Sequence, residues 1–88
     1  YPRNTKKWKI NDKEDINFEN ILINLGKKRP HILILGAGKE VKNNFPKLKK
    51  KLHEIGINLE VMTTPAACRT WNVLISEGRD AVAALICI

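Results

Sequence analysis

Apolar residues recur with helical spacing in some segments of the chain and form short continuous runs in others. Helical spacing begins after Ile16, where Asn17 is a suitable N-cap and Gly26 a suitable stop. The apolar face of this first predicted helix comprises Phe18, Ile21, Leu22 and Leu25.

Two further helices are predicted from their start and stop signals. Asn44 and Pro46 mark the start of the second helix, because proline is tolerated in a first turn, and Gly56 ends it. Its predicted buried stripe consists of Phe45, Leu48, Leu52 and Ile55. For the third helix, Thr64 is the expected N-cap and Pro65 lies in the first turn. This helix is expected to run to about Glu77, with Gly78 ending it.

Short apolar runs alternate with these helices at residues 31–35, 57–62 and 81–86. Runs of this length that are rich in Ile, Leu and Val are typical of strands buried on both faces. Alternation of strands and helices with short connections predicts a parallel sheet with right-handed crossovers and covering helices. The polar opening, residues 1–15, has only Trp8 and Ile10 as apolar anchors and is predicted to be irregular or a short edge strand.

The length of 88 residues allows one domain, residues 1–88, with a small core. A chain of this size buries only about 60–65% of its unfolded surface, so a partner surface would add stability. Cys68 and Cys87 lie in a predicted helix and strand with apolar neighbours, which suits buried thiols in a reducing compartment. No run approaches the roughly 18 apolar residues that a membrane-spanning helix needs.

The chain has a net charge of +7, with 12 lysines and 4 arginines. Two dense clusters carry much of this charge: Lys6, Lys7 and Lys9 around Trp8, and Lys47, Lys49, Lys50 and Lys51. Such a balance indicates nucleic acid, an acidic membrane surface or an acidic protein as partner, or merely solvated faces in a lysine-rich composition. A role in nucleic-acid association requires the two clusters to converge on one face.

The sequence Gly36-Ala37-Gly38 follows the first buried strand directly. Glycines at this turn allow a phosphate group to approach the backbone in dinucleotide folds, but the third glycine of that fingerprint is replaced by Val41. Nucleotide binding therefore stays an alternative, and it predicts a concave pocket with free backbone N–H groups. The simpler interpretation is a loop that requires positive φ angles.

Cys68 is the best nucleophile candidate, because a thiol near a helix N-terminus and beside Arg69 is favoured as thiolate. Neither His31 nor His53 has a spacing that implies a catalytic base for it, so packing in the core is the simpler role. No recognised metal-ligand spacing occurs, and Trp71 is expected to pack in the core.

Four segments in a fixed order resemble one known family over about residues 8 to 87. They are HILILGAG at 31–38, GINLEVM at 56–62, ACRTWN at 67–72 and SEGR at 76–79. The family is the domain of unknown function of the third mitochondrial respiratory complex I assembly factor and of its bacterial and archaeal homologues. Two departures are Thr63, where an acidic residue is common, and Trp71, which replaces Tyr or Phe.

The resemblance implies a small three-layer β/β/α fold with a parallel sheet core, covering helices and extra antiparallel strands. Those strands come largely from an N-terminal segment that this chain is expected to lack. The resemblance implies no catalytic activity, and we expect no cofactor. It implies a cleft formed by Gly36, Gly38, Thr64, Cys68, Arg69 and Asn72, with a second cluster at Glu77 and Arg79.

The function expected from this resemblance is that of a non-catalytic assembly factor or interaction module for complex I or a related complex. The expected partners are another assembly factor or complex I subunits, contacted near Trp8 and the sheet edge. A homodimer and a nucleic-acid partner stay open as alternatives. The expected compartment is the mitochondrial matrix or inner-membrane periphery in a eukaryote and the cytoplasm in a bacterium.

Overall fold

The computed structural model describes residues 6–10, 16–27, 29–41 and 44–86. Strands and helices follow one another in the predicted order, with one additional strand at the start. Their bounds are β1 Lys6–Ile10, α1 Phe18–Leu25, β2 Ile32–Gly36, α2 Pro46–Glu54, β3 Asn58–Met62, α3 Thr64–Ser76 and β4 Ala81–Ile86.

The four strands form one sheet in the order β1-β4-β2-β3, and every neighbouring pair is parallel. The last strand of the chain therefore lies between the first two. Ala84 in the middle of β4 is paired with Trp8 of β1 on one side and with Leu35 of β2 on the other. All six residues of β4 are buried, because strands flank it and helices cover it.

Helices α1 and α2 cover one face of the sheet and α3 covers the other. The strands alternate accordingly, since successive side chains point to opposite faces. The first core contains Leu33, Leu35, Leu59, Val82 and Ala84 of the sheet with Ile21, Leu25, Leu48 and Leu52 of α1 and α2. The second core contains Ile34, Ala83 and Leu85 with Ala67 of α3.

This architecture confirms a mixed α/β fold with a parallel sheet and covering helices. The polar opening supplies β1 as an edge strand, one of the two predicted outcomes for that segment. The additional antiparallel strands of a β/β/α arrangement do not occur among the described residues. Within the same ranges, none of the three helices has the length and apolarity that crossing a membrane requires.

The start of α1 follows the prediction closely. Asn17 is its N-cap, and the Asn17 side chain accepts a hydrogen bond of 2.8 Å from the backbone N–H of Asn20. Gly26 ends the helix with a φ of 60°. Its N–H donates to the Leu22 carbonyl, as expected for a helix that closes on glycine.

Two details predicted for α2 are wrong. Its N-cap is Phe45 rather than Asn44. Phe45 has a left-handed backbone and makes no side-chain capping hydrogen bond. Its ring packs against the first core. Ile55 is 37% exposed instead of continuing the buried stripe. The helix ends at Glu54, and the turn into Gly56 takes Ile55 off the apolar face.

The contrast between Leu52 and Ile55 yields a stability prediction. Leu52 is fully buried in the first core, so Leu52→Ala should lower the free energy of unfolding by about 2–5 kcal/mol through cavity formation. Ile55→Ala, which removes a similar side chain from a half-exposed turn, should cost less than about 1 kcal/mol. Urea unfolding followed by circular dichroism measures both changes. Equal losses for the two variants would contradict the assignment of Leu52 to the core.

Candidate functional site

The candidate cleft lies at the edge of the sheet where the parallel strands end. β2 ends at Gly36 and β3 ends at Met62, and both ends lie at the carboxyl edge, where α/β proteins usually bind ligands. The loop after β2 meets the start of α3 there. The Ala37 N–H donates a hydrogen bond of 2.7 Å to the Met62 carbonyl, which fixes the loop against the end of β3.

The Thr64 side chain is the centre of this junction. Its hydroxyl accepts a hydrogen bond of 2.9 Å from the Gly38 N–H and donates one of 2.8 Å to the Ile86 carbonyl. The Thr64 N–H donates to the Gly38 carbonyl at 2.9 Å. One residue thereby ties the loop after β2, the start of α3 and the end of β4 together.

The two glycines serve this junction in different ways. A side-chain carbon on Gly36 would lie 3.0 Å from the Thr64 Cα and 2.9 Å from the Leu85 Cδ2 atom, so only glycine allows this close approach. Gly38 has a φ of 91°, in the left-handed region that favours glycine. The prediction of a loop that requires a positive φ is confirmed at Gly38.

The N-cap of α3 is Thr63, one residue before the predicted Thr64. The Thr63 hydroxyl accepts a hydrogen bond of 3.4 Å from the Ala66 N–H, and its backbone is extended. Either threonine satisfies the sequence rule for an N-cap before a first-turn proline. Tertiary contacts decide that Thr63 is the N-cap, because the Thr64 hydroxyl is hydrogen-bonded to Gly38 and Ile86.

The first turn of α3 retains no free backbone donor for an anion. Thr64 donates to Gly38, Ala66 to the Thr63 hydroxyl and Ala67 to the Thr63 carbonyl, while Pro65 has no N–H. A helix N-terminus binds phosphate through free N–H groups that point at the ligand. The geometry of this turn therefore does not favour the nucleotide-binding alternative.

The remaining predicted cleft residues lie further along α3, and their side chains form no hydrogen bond with Thr64, Gly38 or Ile86. Cys68 is half-buried and packs against the second core beside Ala67, as a small hydrophobe does. Arg69 and Asn72 are exposed. Both His31 and His53 are exposed as well, and no group of three metal-ligating side chains occurs among the described residues.

The second predicted cluster lies at the opposite edge of the sheet, in the turn between α3 and β4. The Arg79 Nε atom is 3.5 Å from the Glu77 Oε1 atom, and the two side chains are 60% and 54% exposed. An ion pair with this exposure contributes little to stability. A hollow of about 340 Å³ beside it is lined by His31, Ile32, Gly78, Arg79 and Asp80. Gly36 does not line this hollow.

Both tryptophans are half-buried, and each packs against a different core. Trp8 packs against the first core and Trp71 against the second, as predicted for Trp71. The Lys7 ammonium lies 4.8 Å from the centroid of the Trp71 ring, within the range of a cation–π contact. The Trp71 Nε1 atom is buried, and none of the described residues accepts a hydrogen bond from it.

Lys7 of the first lysine cluster and the four lysines of the second cluster lie on opposite faces of the sheet. Lys7 lies over Trp71 on the face that α3 covers. Lys47, Lys49, Lys50 and Lys51 belong to α2, which covers the other face. The condition for a nucleic-acid-associated protein was convergence of the clusters on one face, and the described residues do not meet it.

Sequence reasoning missed one concave surface, an open groove between the starts of α1 and α2. It has a volume of about 440 Å³ and is mainly apolar. We call it the α1–α2 groove, and its lining residues are Ile16, Asn17, Phe18, Phe45, Pro46, Lys47, Leu48 and Lys51. The sequence signal was a phenylalanine at the start of each of two helices, but their proximity depends on the strand order.

Comparison with known proteins identifies one family. The family model described as a protein of unknown function, DUF498/DUF598, matches residues 1–86. Among curated proteins, the chain is 36% identical over 86 residues to NADH dehydrogenase (ubiquinone) 1 alpha subcomplex assembly factor 3 of Xenopus tropicalis. That match covers 97% of this chain and 47% of the Xenopus protein. The chain thus spans about half the length of the curated relatives it matches.

Solved bacterial structures show the same fold. A crystal structure of a Bordetella parapertussis protein matches with a TM-score of 0.75 and 33% identity, over 86% of this chain and 64% of that chain. The solution structure of a Mth938-like domain from Bordetella pertussis matches with a TM-score of 0.59 and 39% identity. That match covers 64% of this chain and 35% of the Bordetella pertussis protein.

The junction at Thr64 yields a prediction that separates the hydroxyl from the rest of the side chain. Thr64→Val should lower the free energy of unfolding by about 2–4 kcal/mol, because the buried Gly38 N–H and Ile86 carbonyl both lose their partner. Thr64→Ser keeps the hydroxyl and should cost less than about 1 kcal/mol. Thermal and urea unfolding of both variants test this difference, and equal losses would show that the hydroxyl is not the stabilising group.

Proposed function

The chain belongs to the DUF498/DUF598 family of proteins of unknown function, and from this premise we propose that it is a non-catalytic module for assembly of respiratory complex I or a related complex. The observation that carries the proposal is the similarity to assembly factor 3, which extends over nearly the whole chain. The name of that relative describes assembly of a multi-subunit enzyme rather than a reaction.

The geometry of the candidate cleft supports the non-catalytic part of the proposal. The Thr64 hydroxyl lies at the centre of the cleft and is already hydrogen-bonded to the Gly38 N–H and the Ile86 carbonyl. The thiol of Cys68 packs against the second core, while His31 precedes β2 and His53 lies on α2. An adjacent general base is one common way to activate a nucleophile, and no described side chain fills that role for Cys68.

The partners we propose are another assembly factor or subunits of complex I. Trp8 is the proposed contact residue, since it is half-buried on β1, an edge strand of the sheet. Edge strands and the side chains beside them are common sites of protein association. We propose the mitochondrial matrix or inner-membrane periphery as the compartment in a eukaryote, and the cytoplasm in a bacterium. A homodimer remains an alternative for the same edge.

Affinity purification from the cells that produce the protein tests this function. The tagged protein should recover complex I subunits or another assembly factor, as identified by mass spectrometry, and an unrelated matrix or cytoplasmic protein with the same tag serves as control. Recovery of nucleic-acid-binding proteins, or of the protein alone with a bound nucleotide, would contradict the proposal.

Substitution of Cys68 tests the absence of a catalytic thiol. Cys68→Ala should leave complex I assembly within about twofold of wild type, with a stability loss of about 1–2 kcal/mol from reduced packing. The assembled complex is measured by native gel electrophoresis and NADH oxidation in cells that carry only the variant. Cys68→Ser is the matched control for thiol chemistry with a similar volume. Complete loss of assembly in both variants, with the folded protein present at normal levels, would point to a reactive role.

A further inference from the structure

The α1–α2 groove combines an apolar floor with a cationic wall. Leu48 and Ile16 are buried in the floor, and Phe18 contributes a half-buried ring. Lys47 and Lys51, one helical turn apart on α2, form the wall. The volume of about 440 Å³ lies within the range of roughly 300–1,000 Å³ that is usual for binding pockets.

The lysines of α2 form no ion pair with any carboxylate that the structure describes. Lys47, Lys49, Lys50 and Lys51 are all exposed, and no carboxylate of the described residues forms an ion pair with them. The Lys51 ammonium instead lies 5.8 Å from the centroid of the Phe18 ring, at the mouth of the groove. A run of unpaired cations beside an apolar groove is complementary to a ligand that is apolar at its centre and acidic at its rim.

We propose that the α1–α2 groove binds an acidic, amphipathic segment of a protein partner. One or two large apolar side chains of that segment occupy the space above Leu48 and beside Phe18, and its carboxylates pair with Lys47 and Lys51. The inference deepens the proposed function by assigning the chemistry of the partner, and it rests on that function for the partner's identity.

The shape of the surface favours a protein segment over the other anionic partners. Insertion into a membrane needs apolar side chains that protrude, whereas Ile16 and Leu48 are recessed and only 8% and 7% exposed. Single-stranded nucleic acid needs open aromatic faces for base stacking, and the Phe18 ring is half-buried with Lys51 over it. A recessed apolar groove is filled by a side chain that the partner supplies.

A binding measurement with a defined probe tests the groove directly. The probe is a fluorescein-labelled peptide of about 14 residues with Phe and Leu one helical turn apart and glutamate at most other positions. Fluorescence anisotropy gives its Kd for the 88-residue chain, for the groove variant K47E/K51E and for the matched control K27E/K39E. Lys27 and Lys39 are exposed and lie neither in the groove nor on β1, and the control changes the net charge by the same amount as the groove variant. Circular dichroism verifies that all three proteins are folded.

The groove variant should raise the Kd of the peptide at least about tenfold, and the control should raise it less than about threefold, with weaker binding at higher salt. The neutral variant K47Q/K51Q should give an intermediate loss. Equal Kd values for the groove variant and the control would overturn the proposal. So would binding of anionic lipid vesicles or of a single-stranded oligonucleotide, but not of the peptide, by the wild-type chain.

The same variants in the affinity purification separate this inference from the proposed function. Recovery of assembly partners by wild type and K27E/K39E, but not by K47E/K51E, supports the groove as the contact. If all three proteins recover the same partners, the groove proposal fails and the proposed function stands. If wild type recovers no respiratory-complex protein while the peptide still binds with the predicted variant dependence, the function fails and the groove stands.

Discussion

The structure depends on the insertion of β4 between β1 and β2. Until this last strand is in place, β1 has no hydrogen-bonded neighbour among the described strands, and β2 is paired on one side only. Every residue of β4 is buried, and its small side chains at Ala81, Ala83 and Ala84 let helices approach closely from both faces. The Thr64 hydroxyl then fastens the end of this strand, at Ile86, to the start of α3.

This arrangement also explains why the carboxyl edge is closed where a dinucleotide fold would be open. The loop at Gly36 and Gly38 has the glycines that a phosphate site requires, but Thr64 occupies the space and uses the available hydrogen-bonding groups. In this chain the glycines serve close packing between a loop and a helix. A mainly apolar groove instead lies between α1 and α2, beside lysines that form no ion pair with any described carboxylate.

The contacts at Thr64 could be predicted in part from the sequence. The position of the other cleft residues and the α1–α2 groove could not, for physical reasons. The family resemblance implied that Gly36, Gly38 and Thr64 lie together, and the three residues are in contact. The relation of Cys68 and Arg69 to that junction could not be predicted, since helical rotation relative to the sheet is set by packing. The α1–α2 groove depends on which helices are neighbours, which local patterns do not encode.

By itself the sequence determined the kind and order of the elements, since caps, glycine stops and hydrophobic periods act within a few residues. Asn17, Gly26 and Gly78 are examples whose effect is local. Only the tertiary structure decided the strand order, the exposure of Ile55 and the choice of Thr63 over Thr64 as N-cap. These features depend on contacts between residues distant in the chain, where several arrangements satisfy the same local rules and packing and hydrogen bonding select one.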